Sequence, residues 1–236
     1  MIDLSNIRLD NKLKQNYNQF IKKGSEKINF FWLGLQDYSP TLNLQKKIHK
    51  SIIEKNTNDT VLMLEHEHVY TLGKNADENH ILPLQNKCSN IKQIDRGGDV
   101  TYHGPGQLVC YPIINLENYH KSVSWYVRLI EQCIIDVLKK HKINAVKKES
   151  PFIGIWVDDE KIAAIGIRMS RWVSMHGFAI NVNTDLSYFD GIIPCGIFDY
   201  GVTSMRKVAN SKVGLYELAK STSELFLERI KKTVKE

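Results

Sequence analysis

The apolar positions of this chain fall into short unbroken runs separated by longer amphipathic stretches, and the two patterns predict different elements. FFWLGL at 30–35 is the first strongly apolar run and predicts a core strand. Ahead of it the chain is polar and charged, with a weak recurrence of Leu13, Tyr17, Phe20 and Ile21 that predicts a peripheral helix. In SPTLNLQKKIHKSIIEK, Leu44, Ile48 and Ile52 recur at spacing four, Ser39 fits an N-cap and Pro40 the first helical position, so an amphipathic helix is expected. TVLMLEH at 60–66 is too short and too evenly apolar for a helix and predicts a buried strand. Two short strands are expected to flank a glycine-rich segment near Arg96, and LVCYPIINL at 108–116 continues as strand. Val123, Val127, Ile130, Ile134, Val137 and Leu138 keep helical spacing over 122–142. GIWVDDEKIAAIGIRM at 154–169 predicts a hairpin about the polar turn Asp158-Asp159-Glu160, VSMHGFAINVN another strand, and 215–236 a final amphipathic helix. Helices and strands mix without a regular βαβ alternation, so the expected class is α+β, with residues 1–29 as a polar N-terminal extension and 30–236 as one domain of mixed sheets flanked by helices.

Composition narrows this little. With 236 residues, 42% hydrophobic and 25% charged, the chain is ordinary globular material, long enough for one sizeable core. Its apolar runs all stop short of the ~20 residues of a membrane span, and the polar start lacks the apolar stretch of a secretory signal, so a soluble cytoplasmic protein is expected. The net charge of +6 fits a nucleic acid, an anionic surface or an acidic protein partner, and does not choose among them. Cys88, Cys110, Cys133 and Cys195 are widely and irregularly spaced with no CxxC pair, which reads as reduced thiols instead of a disulfide framework or zinc site. His66 and His68 form a His-x-His pair, but two ligands alone are weak, and no metal is expected.

Three segments carry candidate chemistry. RGGDVTYHGPGQ at 96–107 holds four glycines and a proline beside Arg96, Asp99 and His103. Glycines there allow positive φ and let backbone N–H groups approach a ligand. The segment lacks the Lys-Ser/Thr ending of a phosphate loop and the spacing of a dinucleotide fingerprint, and a tight hairpin turn is its plainer reading. IIPCGI at 192–197 sets Cys195 between Pro194 and Gly196, on a turn where a thiol can be exposed and backbone N–H groups can face an oxyanion. By contrast Cys110 and Cys133 read as core thiols, and Cys88 as incidental in a polar loop. A thiol of ordinary pKa near 8.5 is only a few per cent ionised at neutral pH, so a nucleophilic Cys195 needs a nearby cation, which Lys161, on the second strand of the predicted hairpin, can supply. On sequence alone the favoured reading of Lys161 is an ordinary solvated residue.

In order and separation, LGLQDYSP, LEHEHVYTLG, RGGDVTYHGPGQLVCYPI, KIAAIGIR, SRWVSMHGFAINVNTDL and IIPCGI resemble the successive signatures of the lipoate-protein octanoyltransferase family, over roughly 32–205. The resemblance implies a fold similar to the catalytic domain of biotin and lipoyl protein ligases and a two-step acyl transfer. Cys195 would attack octanoyl acyl-carrier protein to give an acyl-enzyme thioester, which a lysine of a lipoyl domain then attacks, with Lys161 depressing the cysteine pKa. Acceptors so implied are the lipoyl domains of 2-oxoacid dehydrogenase complexes and the glycine cleavage H protein; no cofactor, nucleic acid or membrane is implied. Matching acyl-substrate positions are Arg96, Gly97, Gly98, Asp99, Val100, Thr101, Tyr102 and His103, with Ala164, Ile165, Gly166, Gly177, Phe178 and Ala179. Small residues there leave room for an alkyl chain. His103 and His176 fall inside matched motifs, as proton handlers or as hydrogen-bonded scaffolding, and Arg96 and Arg168 either meet the carrier's phosphopantetheine or pair with carboxylates such as Asp99. Competing readings are an ATP-dependent lipoate or biotin ligase, a cysteine hydrolase, and a non-catalytic carrier-binding module.

Overall fold

The computed structural model describes residues 18–19, 28–82, 87–149, 152–193 and 200–233. In chain order these form strands β1 (Asn18–Gln19) and β2 (Ile28–Gln36), helix α1 (Tyr38–Ile53), and strands β3 (Asp59–His66), β4 (Val69–Leu72), β5 (Ile91–Gln93), β6 (Val100–His103) and β7 (Gln107–Ile113). Helix α2 (Val123–Lys140), strands β8 (Val146–Lys147), β9 (Ile155–Val157), β10 (Glu160–Ser170), β11 (Val173–Asn181) and β12 (Gly201–Val202), and helices α3 (Met205–Ala209) and α4 (Leu215–Thr233) follow. Most strands join one mixed sheet in the order β1-β2-β3-β7-β11-β10-β9-β8, with β12 alongside β10; β5-β4-β6 form a smaller sheet. The fold is therefore α+β with mixed sheets, as the element pattern implies.

Alternation along the strands divides the large sheet's side chains between two faces. Phe30, Met63, Leu108 and Cys110 point to the side covered by α2 and α4, where Ile130, Cys133, Leu218 and Phe226 meet them. Phe31, Leu33, Leu62, Leu64, Val109 and Tyr111 point to the opposite side, where Leu44, Ile48 and Ile52 of α1 lie. Ser122 caps α2 by accepting from the Trp125 N–H at 3.2 Å. Helix α1 begins one residue before the expected cap: Asp37 is its N-cap, and Pro40 sits within the first turn, where its missing N–H would have no intrahelical acceptor. The helix expected around Leu13, Tyr17, Phe20 and Ile21 lies outside the described residues, except that Asn18–Gln19 within its span is strand, paired with Trp32 and Phe31. The strand expected through Leu116 stops at Ile113, and Leu116–Asn118 make a 3-10 turn capped by Asn115.

Two irregularities shape the sheet's centre. Strands β10 and β11 join through Arg171 and Trp172, both at positive φ (49° and 61°), a two-residue hairpin built without glycine or asparagine. The β7–β11 ladder is continuous from Asn181↔Gln107 to Phe178↔Cys110, and two residues further along each strand Pro112 comes opposite His176. Proline has no N–H for the ladder. There His176 turns to φ 59°, and its own N–H goes instead to the Gln45 side-chain oxygen of α1 at 3.1 Å. Pairing resumes where Ser174 N–H reaches the Ile114 carbonyl. Among the described residues no helix is long and apolar enough to cross a membrane.

Candidate active site

A cleft opens where this interrupted ladder meets the glycine-rich segment. Its walls are Arg96, Gly98, Asp99, Val100, Thr101 and His103 from that segment and β6, Ala164, Ile165 and Gly166 from β10, and His176, Gly177, Phe178 and Ala179 from β11. Tyr38, Val109, Tyr111 and Ile153 complete it. Residues far apart in sequence thus meet because β10 and β11 pair in register, Gly166 opposite Gly177 and Ala164 opposite Ala179. Small side chains are required there. A β-carbon on Gly177 would lie 2.2 Å from the Cys110 carbonyl oxygen and 2.5 Å from Pro112 Cδ, and one on Gly166 3.2 Å from the Gly97 carbonyl oxygen.

Two of the expected positions stand apart from the walls. Gly97 donates its N–H to the Ile167 carbonyl at 3.1 Å, stitching the glycine-rich segment to β10. Tyr102, alternating away from Thr101 and His103 on β6, is fully buried beside Tyr70, Tyr188 and Phe189, with its hydroxyl 2.7 Å from His68 Nδ1. Its side chain belongs to the packing behind the cleft.

The buried polar groups are ordered by hydrogen bonds. His103 Nδ1 lies 2.7 Å from Gln107 Oε1, while Gln107 Nε2 donates to the Tyr102 carbonyl and to Asn181 Oδ1; the amide oxygen therefore accepts, and His103 carries its proton on Nδ1. His66 Nδ1 faces the Gln36 carbonyl, which can only accept, so its Nε2 accepts from the Tyr111 hydroxyl at 2.7 Å. Burial pushes His66 down to about 4 and His103 to about 3, so both are neutral at physiological pH. The His-x-His pair does not converge: His66 turns to Tyr111, His68 to Tyr102 and Tyr188. Among the described residues no cluster of three or more His, Cys, Asp or Glu is placed to hold a metal.

Arg96 is buried and donates to the Thr71 carbonyl at 2.7 Å, the Thr71 hydroxyl and the Gly97 carbonyl, tying the segment to β4. Arg168 pairs with Asp95 at 2.6 Å, and His176 Nε2 donates to the same carboxylate at 2.9 Å. Burial works against the Asp95 carboxylate, but the His176 hydrogen bond and the Arg168 charge outweigh it and hold its pKa below the ordinary value. His176 is itself held low by burial, against the pull of Asp95. Asp99 instead meets His80 Nδ1 at 2.5 Å and the N–H of Val100 at 2.7 Å.

Lys161, second in β10, is 7% exposed. Its ammonium lies 4.8 Å from the centre of the Trp156 ring, and its carbonyl accepts from the Thr203 N–H at 3.0 Å. Cys195 lies outside the described residues, between Ile193, whose N–H donates to the His80 carbonyl, and Tyr200, whose ring packs 5.3 Å from Trp156. Cys110 and Cys133 are buried core thiols; burial pushes Cys110 well up and Cys133 to about 12. Cys88 also proves buried, in the cluster with Tyr70 and Leu72, although its neighbourhood in sequence is polar. Sequence reasoning passed over Tyr38, Tyr111, Asp95, His80 and Trp156. For Trp156 a signal existed, because a turn at Asp158-Asp159 sets it opposite Lys161.

Comparison with solved structures places this architecture. A lipoate-protein ligase A bound with ATP matches at TM-score 0.65 and 14% identity, covering 84% of this chain and 83% of the other. A biotin protein ligase from Aquifex aeolicus matches at TM-score 0.52 and 14% identity, over 89% and 72%. The fold is that of the catalytic domains of lipoate- and biotin-protein ligases. More narrowly, residues 37–227 match the model of the lipoyl protein ligase A/B catalytic domain, and the chain belongs to that family. Its curated relatives include an octanoyltransferase from Caldicellulosiruptor saccharolyticus, 41% identical over 209 residues, covering 85% of this chain and 89% of the relative. Octanoyltransferases from other bacteria lie in the same range, 40% to 47% identical.

Proposed function

We propose that this chain is an acyltransferase that moves an octanoyl group from octanoyl acyl-carrier protein to a lysine of lipoyl domains, through a thioester on Cys195. The observation that carries the reading is the cleft: its walls are small at Gly166 and Gly177 and at Ala164 and Ala179, and one of them is the strand that holds Lys161. Family membership supports the acyl chemistry, since relatives covering most of the chain are octanoyltransferases. In the first step the Cys195 thiolate adds to the thioester carbonyl and the carrier's thiolate leaves, taking up a proton. In the second, the neutral amine of the acceptor lysine adds to the new thioester, the amide forms, and the Cys195 sulfur leaves as the thiolate while the amine's proton is released. Lys161 serves as the cation beside that thiolate and as the station through which the protons pass. Arg96, Gly98, Asp99, Val100, Thr101 and His103 with Ala164, Ile165, Gly166, Gly177, Phe178 and Ala179 form the acyl site; Gly97 and Tyr102 support it from outside the walls. His103 and His176, both favoured neutral, order the walls. The acceptors are lipoyl domains of 2-oxoacid dehydrogenase complexes and the glycine cleavage H protein, and the work is cytoplasmic.

Intact-protein mass decides the reading. Wild type, Cys195→Ala and Lys161→Ala are each mixed with octanoyl acyl-carrier protein, and a lipoyl domain is then added. An octanoyl adduct in wild type, absent from Cys195→Ala, at least 100-fold slower in Lys161→Ala and discharged onto the domain is the expected result. Transfer that needs ATP and free octanoate, with no adduct, would establish a ligase instead, and free octanoate as the main product in the presence of acceptor would establish a hydrolase.

A further inference from the structure

Lys161 is nearly buried, and an ammonium in a protein interior is costly unless charge or a polarisable surface answers it. The indole of Trp156 offers such a surface, with the ammonium 4.8 Å from the ring centre, inside the range in which an aromatic face attracts a cation. The contact follows from register: the hairpin sets Trp156 directly opposite Lys161. Gly154 guards the stem, since a β-carbon there would lie 3.3 Å from Lys161 Cε and 2.8 Å from the Ala163 carbonyl oxygen.

The ring is fixed more firmly than a space-filling aromatic needs to be. Its Nε1–H donates to the Phe152 carbonyl at 2.9 Å, and Phe152 and Tyr200 meet it nearly edge-on at 6.5 and 5.3 Å. A second ammonium, that of Lys148, lies 4.6 Å from the same ring and 4.2 Å from that of Tyr200, and is anchored to Asp159 at 2.8 Å. One indole thus serves two cations, Lys161 from within the sheet and Lys148 from the surface.

We infer that Trp156 is a positioning residue for octanoyl transfer, whose ring face holds the ammonium of Lys161 in place. The inference rests on the catalytic reading of Lys161. It differs from a plain packing role in one respect: Trp156 then acts only through Lys161.

A double-mutant cycle on the rate of acyl-enzyme formation separates the two roles. Trp156→Leu keeps apolar bulk and loses the ring face, and Trp156→Tyr keeps a face. The expected result is a maximal rate about tenfold lower in Trp156→Leu, within about threefold of wild type in Trp156→Tyr, and an unchanged KM for the octanoyl carrier. In a Lys161→Ala background the leucine change should slow the reaction no further. Equal slowing in both backgrounds, or a wild-type rate in Trp156→Leu, would overturn the inference while leaving Lys161 catalytic. A wild-type rate in Lys161→Ala would remove the reading of Lys161 and this inference with it. If Trp156→Leu does not fold, Trp156→Met, which also lacks a ring face, carries the same cycle with the same expected loss of about tenfold, and no loss overturns the inference.

Discussion

The two faces of the large sheet are covered by different means, and the difference separates stability from chemistry. One face lies under α2 and α4, where Phe30, Cys110, Cys133 and Phe226 pack; two buried hydroxyls of α4 are answered within the helix, Thr222 by the Leu218 carbonyl and Ser223 by that of Lys220, and that of Tyr126 on α2 reaches the Pro112 carbonyl. Helices satisfy their own backbone apart from the ends, so the cover asks little that is polar of the sheet beneath it. The other face is under helix only where α1 lies; beyond it the cover is a glycine-rich segment whose carbonyls and N–H groups need partners. Arg96, His66, His103 and Gln107 are buried there and hydrogen-bonded to backbone or to one another. A loop roof brings polar side chains inside and leaves a cleft, and both conditions are what acyl transfer requires.

The largest break in this comparison comes from the cleft side. Gly177→Ala adds a carbon 2.2 Å from a main-chain oxygen of β7, a contact that only backbone movement can relieve, at the point where Pro112 has already interrupted the ladder. It should cost more stability than any single truncation on the helix-covered face, leaving little folded protein at 37 °C, whereas Gly97→Ala, whose β-carbon meets nothing nearer than 3.4 Å, should fold. Next comes Phe226→Ala on the closed face, which removes a fully buried ring packed edge-on to Phe30. A loss of about 3–5 kcal/mol is expected, a fall in Tm of roughly 10 °C, with the acylation rate per folded molecule unchanged. Circular dichroism melts beside the mass assay test both; a Phe226→Ala enzyme that is as stable as wild type but slow would erase the division between the faces.

Much of this division could be read from residue types. Spacing in Leu44, Ile48 and Ile52 and in the 123–138 stretch marked the helices, and the evenly apolar TVLMLEH marked a strand buried on both sides. The hairpin of Arg171 and Trp172 was not legible, because neither residue announces a positive φ and only the pairing of β10 with β11 imposes it. In the cleft, glycines at 97, 98, 166 and 177 were visible as small residues, but their convergence depends on β11 lying between β7 and β10, which no local pattern encodes. Tyr38 and Tyr111 were invisible as wall residues for the same reason. Asp95 could have been found, as the acidic neighbour of Arg96; its partners Arg168 and His176 could not, since both arrive from distant strands.

The smallest effect is the response to acid, and it too arises chiefly on the cleft side. His66 and His103 are held neutral by burial, at about 4 and about 3 against an ordinary value of 6.5. The unfolded chain therefore takes up protons first as pH falls. Stability from the neutral rings is complete above about pH 6.5 and is lost progressively as pH drops through 6.5 toward the folded values, at a slope of at most ~1.4 kcal/mol per pH unit for each ring. His176 and His49, also lowered chiefly by burial, add to the same trend. Between pH 7 and 5 wild type should lose several degrees of Tm, and His103→Gln, which removes one titrating ring, should lose about 1–2 kcal/mol less over that interval. Cys110 and Cys133 on the closed face ionise far above this range and contribute nothing to it. A Tm that is flat from pH 7 to 5 would mean that the histidines keep their ordinary affinity for protons inside the fold, and the loop-covered face would then be as wet as the surface.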